Sequence, residues 1–176
     1  MVAKSSVSRQ WLSREDKIAF DERLGRLEWL EANMPAVELQ LFPGGYLSKS
    51  LFEEARYCFV YGQFLAVIML GLGFIERVFA ADLYGDARND LERANLATLI
   101  REELARGTIS QVEFEQLEHA RKNRNTVVHF RAPGHSESIE RRSIERSERP
   151  YALFEEDARN VVSIIFHLLQ RWPFSI

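Results

Sequence analysis

Apolar residues recur every three to four positions along most of the chain, which is the period of an amphipathic helix, and no stretch makes a convincing strand. Capping residues, glycines and prolines indicate where the helices begin and end. Five helices are predicted, at residues 14–33, 50–84, 91–106, 110–129 and 155–172. We expect residues 1–13 to form a loose lead and residues 36–46 to form a connector that packs on the surface.

The predicted helix at residues 50–84 is expected to lie at the centre of the fold. Ser50 and Glu53 have the spacing of a capping box, which places the helix start at Ser50. Residues 64–75 are apolar on all sides, and other helices cover such a helix on most of its surface. This apolar run of 12 residues is well short of the about 20 that cross a bilayer, so we expect no membrane-spanning segment.

The helix at residues 110–129 begins with a second capping box, formed by Ser110 and Glu113. Pro133 and Gly134 end it shortly after His129. Residues 132–150, which follow, are rich in Ser, Glu and Arg. A solvated loop is the first interpretation of this segment, and a basic flap that closes over an anionic ligand is the alternative.

Five helices without a predicted strand indicate an all-α fold, an up-and-down helical bundle of four to five helices. The 176 residues, of which 46% are hydrophobic, are enough for one well-formed core. Residues 46–176 are assigned to this helical domain. Residues 1–45, an N-terminal helix and connector, receive no assignment.

Charge and cysteine content narrow the classes of function. The net charge of −3 gives no overall basic character, but residues 121–149 hold eight Lys and Arg against four acids. That local excess is suited to attracting a phosphate backbone. Cys58 is the only cysteine, which excludes a disulfide within the chain and a cysteine-rich metal site. The first residues lack the apolar run of a signal peptide, so we expect a soluble, cytoplasmic protein. No metal-ligand cluster is seen in the sequence, so we also expect no metal or cofactor.

The candidate chemistry lies at the end of the helix at residues 110–129. Arg124 supplies a permanent cation, Asn125 an amide, and His129 a group that titrates near neutrality. Asn125 and His129 are four residues apart and therefore share one face of a helix. The alternative is a capped helix end in which Arg124 and His129 have only structural roles.

The Arg124-Asn125-x-x-x-His129 string resembles the signature of the HEPN superfamily, small helical domains that handle nucleotides and RNA. The likeness also includes the long helix with an apolar middle and the terminal apolar helix. It covers about residues 50–172 and does not explain the first 45 residues. It implies an HEPN-like bundle, and many members are metal-independent endoribonucleases that act as homodimers with facing motifs.

The resemblance also implies a role for each residue of the motif. His129 would be the general acid or base acting on the ribose 2′-hydroxyl or the leaving 5′-oxygen. Arg124 would neutralise charge that develops on the phosphate, and Asn125 would orient the histidine or bind a phosphate oxygen. The products would be a 2′,3′-cyclic phosphate and a 5′-hydroxyl, in a toxin or a defence protein.

Three further residues are expected to bind substrate or support the motif: Glu76, Arg121 and Arg131. Glu76, near the end of the apolar run, matches a polar position that members of the superfamily often have on the preceding long helix, where it could hold Arg124.

Two other functions remain open. Some members of the superfamily are non-catalytic nucleotide-binding or protein-interaction modules that accompany a nucleotidyltransferase or an antitoxin. The third reading is an adaptor bundle without chemistry.

Overall fold

The computed structural model of this protein describes residues 2–35, 44–132 and 134–171. Within these residues the chain forms seven α-helices, one short 3-10 turn at Asn89–Leu91 and no strand, so the all-α prediction is confirmed. The helices are α1 (Val2–Asn33), α2 (Gly45–Val60), α3 (Phe64–Gly85), α4 (Leu96–Arg106), α5 (Gln111–Val128), α6 (Ile139–Arg146) and α7 (Pro150–Arg171). The number exceeds the four to five predicted because one predicted helix is divided and one predicted loop contains a helix.

The apolar helix α3 lies at the centre of the core, as its composition predicts. Phe74, Ile75 and Phe79 are completely buried there, and α3 packs against α2, α4, α5 and α7. A Cβ atom at Gly71 would collide with the side chain of Val161 on α7. This glycine therefore permits the close approach of the two longest core helices.

The predicted helix at residues 50–84 is wrong in its extent, because the chain breaks between α2 and α3. Gly62 has φ +71° at this break, a left-handed conformation that favours glycine. A Cβ atom at Gly62 would lie 2.6 Å from the hydroxyl oxygen of Tyr151. Ser50 lies inside α2 and does not cap it. The helix begins at Gly45, directly after Gly44, whose φ is +77°.

The N-terminal helix is longer than predicted, because residues 2–13 continue α1 and are not a loose lead. Only the last part of α1 joins the core: Leu30 is 2% exposed, and the Nε of Arg26 donates a hydrogen bond of 3.0 Å to the carbonyl oxygen of Val60. Apolar side chains of the first part, such as Trp11, remain exposed.

Three other predictions about the helices are wrong. The helix predicted at residues 91–106 begins at Leu96, where the side chain of Asn95 accepts a hydrogen bond from the backbone N–H of Thr98. The segment interpreted as a solvated loop contains α6, which the side chain of Ser138 caps. The last helix begins at Pro150, five residues earlier than predicted. Most of the predicted connector (36–43), Pro133 and the end of the last predicted helix lie outside the described residues.

Among the described residues, α3 alone has the length and composition of a membrane-spanning helix, with a mean hydropathy of 2.0. Half of that apolar window is buried inside the protein. The core helix of a bundle has the same composition, since other helices surround it.

Candidate functional site

Both ends of α5 are fixed by contacts that involve α7. At its start the side chain of Ser110 accepts a hydrogen bond from the N–H of Glu113, whose carboxylate accepts one from the N–H of Ser110, so the predicted capping box is confirmed. Arg171 of α7 donates a hydrogen bond of 2.7 Å to the same carboxylate. Burial raises the pKa of Glu113, but these hydrogen bonds outweigh it and hold the pKa below its ordinary value.

At the other end of α5, Asn123 donates a hydrogen bond of 2.7 Å to the carboxylate of Asp157 on α7. The two helices therefore run antiparallel, and α5 is held over its whole length. This rigid support precedes the candidate motif directly, since Arg124 is the next residue.

Arg124 lies on the side of α5 that packs against the core. Glu113, Leu117 and Ala120 are the buried residues of α5, at spacings of four and three, and Arg124 follows Ala120 by four. Its side chain is half-buried, and its Nε atom is buried without a hydrogen-bond partner. Within the described residues no carboxylate forms an ion pair with Arg124. The terminal nitrogens of its guanidinium form no hydrogen bond within the described residues, and these atoms, rather than the buried Nε, can donate to an incoming anion.

His129 lies where the helix ends. The last helical residue is Val128, and His129 has an extended backbone, with φ −112° and ψ 127°. Its N–H donates a hydrogen bond of 2.9 Å to the carbonyl oxygen of Asn125, so the two residues are one turn apart as predicted. His129 is exposed and Asn125 is half-buried. In the described part of the chain, neither side chain makes a hydrogen bond, and both can reach a ligand.

Arg121 and Arg131, which were predicted to support the motif, differ in the contacts that their guanidinium groups make. Arg121 donates hydrogen bonds of 2.9 and 2.8 Å to the two carboxylate oxygens of Glu118 and so lowers the pKa of that carboxyl. The Nε of Arg131 lies 3.9 Å from the carboxylate of Glu137 and is buried without a hydrogen bond. Arg131 therefore has only a long ion pair, whereas the guanidinium of Arg121 is bound by two hydrogen bonds.

Glu76 is not joined to the motif by any ion pair within the described residues. It lines a cavity of about 490 Å³ on α3, together with Arg77, Tyr84 and Arg93. None of the motif residues lines that cavity.

The basic segment at residues 121–149 is largely compensated by nearby acids. Arg142 and Arg146 of α6 form ion pairs with Asp157 and Glu156 of α7, and Arg141 pairs with Glu145 within α6. Within the described ranges, Lys122, Arg124 and Arg149 are the basic residues of this segment that form no ion pair. These are the charges that remain for an anionic ligand.

Sequence reasoning missed a hydrogen-bonded chain between α5, α6 and α7. Arg142 donates two hydrogen bonds to the buried carboxylate of Asp157, which also accepts one from Asn123. The amide nitrogen of Asn123 lies 3.1 Å from the Nε2 of His119. Because the carboxylate only accepts, Asn123 must present its NH₂ group, and His119 accepts its second hydrogen at Nε2.

These residues end a groove of about 420 Å³ between α5 and α7. Ala120 and Ile164 contribute apolar surface to it, and His167 lines it from α7. The spacing of His119 and Asn123, four residues apart, was a sequence signal for a shared face of α5. The contribution of α7 had no such signal, because it depends on the antiparallel packing.

No group of three or more His, Cys, Asp or Glu side chains that could hold a metal ion occurs within the residues that the structure describes. Comparisons with family models, curated proteins and solved structures found no match to this chain.

Proposed function

We propose that this protein is a metal-independent endoribonuclease of the HEPN type. The observation that carries the proposal is the state of Arg124: a half-buried arginine on the core side of α5, with its Nε buried and unpaired. An unpaired buried donor costs about 1–3 kcal/mol. The Nε of Arg56 is in the same state but lies over the ring of Phe52, whereas Arg124 lies on the helix that ends at His129. The exposed His129 at the end of the same helix supports the proposal.

The chemistry needs only the groups that the motif provides. The ribose 2′-hydroxyl of the substrate is the nucleophile, and His129 as a general base takes its proton. The 2′-oxygen bonds to the phosphorus as the bond to the 5′-oxygen breaks, and the leaving oxygen takes up a proton. Arg124 stabilises the negative charge on the non-bridging oxygens, and Asn125 donates a hydrogen bond to one of them. The products are a 2′,3′-cyclic phosphate and a 5′-hydroxyl.

One histidine cannot be base and acid in the same instant, so the reaction gains from a second one. A homodimer with facing motifs would supply His129 of the second copy as the general acid. This arrangement keeps the proton balance, since one imidazole gains the proton that the other loses. We place this reaction in the cytoplasm.

The test is incubation of the purified full chain with total RNA in EDTA, followed by analysis of the new RNA ends. We expect the parent to leave cyclic phosphates, and the Arg124→Ala/His129→Ala double variant to leave the RNA intact. Lys17→Ala and His135→Ala are matched controls, because both residues are exposed and lie outside the motif. Circular dichroism confirms that each variant is folded.

Two results contradict the proposal. Cleavage that requires Mg²⁺ excludes this mechanism, and so does equal cleavage by the parent and the double variant. Absence of cleavage by a folded, dimeric parent favours instead a non-catalytic HEPN module that binds nucleotides, or a partner of a nucleotidyltransferase or antitoxin. Capture of such a partner is then the next measurement.

A further inference from the structure

An unusually exposed aromatic side chain follows the candidate histidine. Phe130 is 89% exposed, the highest value among the large hydrophobic side chains of the described residues. Burying a phenylalanine stabilises a protein by about 1.5–3 kcal/mol, and this position gives up that stabilisation. Phe130 directly follows His129 in the chain, so both side chains belong to the same short segment after α5.

A cavity of about 300 Å³ lies next to this ring. Its apolar part includes Val127, Leu65 and Phe154, and Phe130 forms one side. This size is at the lower end of small-molecule sites, which suits one planar ring system rather than a larger ligand.

Two opposite charges also line the cavity, Arg131 and Glu140. The side chain of Arg131 is 36% exposed, and its ion pair with Glu137 is long, with 3.9 Å between the Nε and the carboxylate. Glu140 is exposed and forms no ion pair or hydrogen bond in the described part of the chain. No salt bridge joins Arg131 to Glu140 there, so a ligand can lie between a basic and an acidic side chain.

The donor and the acceptor match one nucleobase better than the others. Guanine presents two acceptors, O6 and N7, which a guanidinium binds through its forked donors. It also presents N–H donors on the other edge, which a carboxylate accepts. Adenine presents an amino group where guanine has O6, and cytosine presents an amino group and has no N7. Any unstacked base also gains from stacking on an aromatic ring.

We propose that Phe130, Arg131 and Glu140 form a guanine-binding subsite beside the phosphate held by Arg124 and His129. Phe130 stacks on the base, Arg131 binds its O6 and N7 edge, and Glu140 accepts its N–H donors. That the guanine belongs to an RNA rests on the proposed function. That the subsite binds guanine does not rest on it, because a free nucleoside has no phosphate to be cleaved.

The first experiment measures the binding of guanosine, adenosine, cytidine and uridine to the full chain by calorimetry, with NMR to detect weak binding. We expect guanosine to bind at least about tenfold more tightly than the other three, since a good bidentate contact discriminates by that much. Glu140→Gln and Arg131→Lys should each remove this preference. Phe130→Ala should weaken all binding, and Phe130→Tyr should restore it, which a purely structural ring would not require.

Matched controls lie elsewhere on the surface. Tyr84→Ala removes an exposed aromatic ring that does not line this cavity, and Arg101→Ala removes an exposed arginine of α4 that does not line it either. Both should bind guanosine as the parent does. The absence of guanosine binding at millimolar concentration overturns the subsite, and so does binding that is equal for all four nucleosides or unchanged in Phe130→Ala.

Cleavage provides a second, separable readout. Guanine should be enriched next to the cleaved bond, and Glu140→Gln should lower that enrichment among the cleavage products that remain. If guanosine binds but RNA is never cut, the subsite stands and the ribonuclease proposal fails. If RNA is cut without any guanine enrichment and guanosine does not bind, the ribonuclease proposal stands and the subsite fails.

Discussion

Arg142 binds both carboxylate oxygens of Asp157, with hydrogen bonds of 2.8 and 2.9 Å, and so joins α6 to α7. Asp157 is 5% exposed and the side chain of Arg142 is 18% exposed. The same carboxylate accepts a hydrogen bond from Asn123, the residue before Arg124. Asp157 thus binds both α6, which follows the motif, and α5, which carries the motif.

Loss of this arginine should destabilise the fold. In Arg142→Ala the carboxylate of Asp157 stays buried with only Asn123 as a donor, and we expect a loss of about 2 kcal/mol in the free energy of unfolding. Arg141→Ala is the control, because its pair with Glu145 is exposed and contributes at most about 0.5 kcal/mol. Urea denaturation measures both, and equal stabilities of the two variants would refute the structural role of Asp157.

A second prediction concerns the break between α2 and α3. Gly62→Ala introduces a Cβ atom at φ +71° and 2.6 Å from the hydroxyl oxygen of Tyr151, so we expect a loss of about 2 kcal/mol. Gly73→Ala in α3 is the control. Its Cβ atom would lie 3.9 Å from Leu51, and alanine in a helix interior should add about 0.5–1 kcal/mol. If thermal unfolding shows both variants to be equally stable, the chain does not break at Gly62.

Local signals were the part of the fold that the sequence predicted well. The capping box of Ser110 and Glu113 involves residues three positions apart, and it correctly placed the start of α5. The helix predicted to end at residue 106 does end there, and Gly107 follows it with φ +74°. Features that depend on distant residues were missed. The break at Gly62 is one of them, because its contact is with Tyr151, 89 positions away.

The same distinction applies to the candidate site. The spacing of Asn125 and His129 was enough to place them one turn apart at the end of a helix. Helix α6, by contrast, is only eight residues long and mostly polar, and its ion pairs to α7 have no sequence periodicity. The unpaired state of Arg124 is also a tertiary property, because a sequence does not tell which carboxylates lie nearby.

Acid should weaken the protein partly through Glu118. The hydrogen bond from Arg121 holds the pKa of Glu118 below its ordinary value of 4.5. The unfolded chain therefore binds a proton at a higher pH than the folded protein, and this stabilisation is present above about pH 4.5 and is lost as the pH falls towards the lowered pKa.

The variant Glu118→Gln should show a smaller loss of stability between neutral pH and acid than the parent does. Glu54→Gln is the control, because Glu54 is exposed and forms no ion pair in the described part of the chain. Urea denaturation at a series of pH values measures the difference. Identical pH dependence in Glu118→Gln and the parent would show that Arg121 does not hold this carboxylate.

Arg124 permits the sharpest separation of function from stability. Its side chain lies on the core side of α5 with a buried, unpaired Nε, so methionine of similar length should fit the same space without that cost. We expect Arg124→Met to be as stable as the parent, or more stable by about 1 kcal/mol. RNA cleavage should fall by at least about 100-fold, because the charge on the phosphate is no longer stabilised.

The control for this pair of measurements is Arg101→Met. Arg101 is exposed on α4, and its Nε donates a hydrogen bond of 2.9 Å to the carbonyl oxygen of Ala97. This change should alter neither cleavage nor stability by a measurable amount. A structural arginine would give the opposite result at position 124: the methionine variant would lose more than about 1 kcal/mol of stability, and the folded fraction would cleave RNA as the parent does.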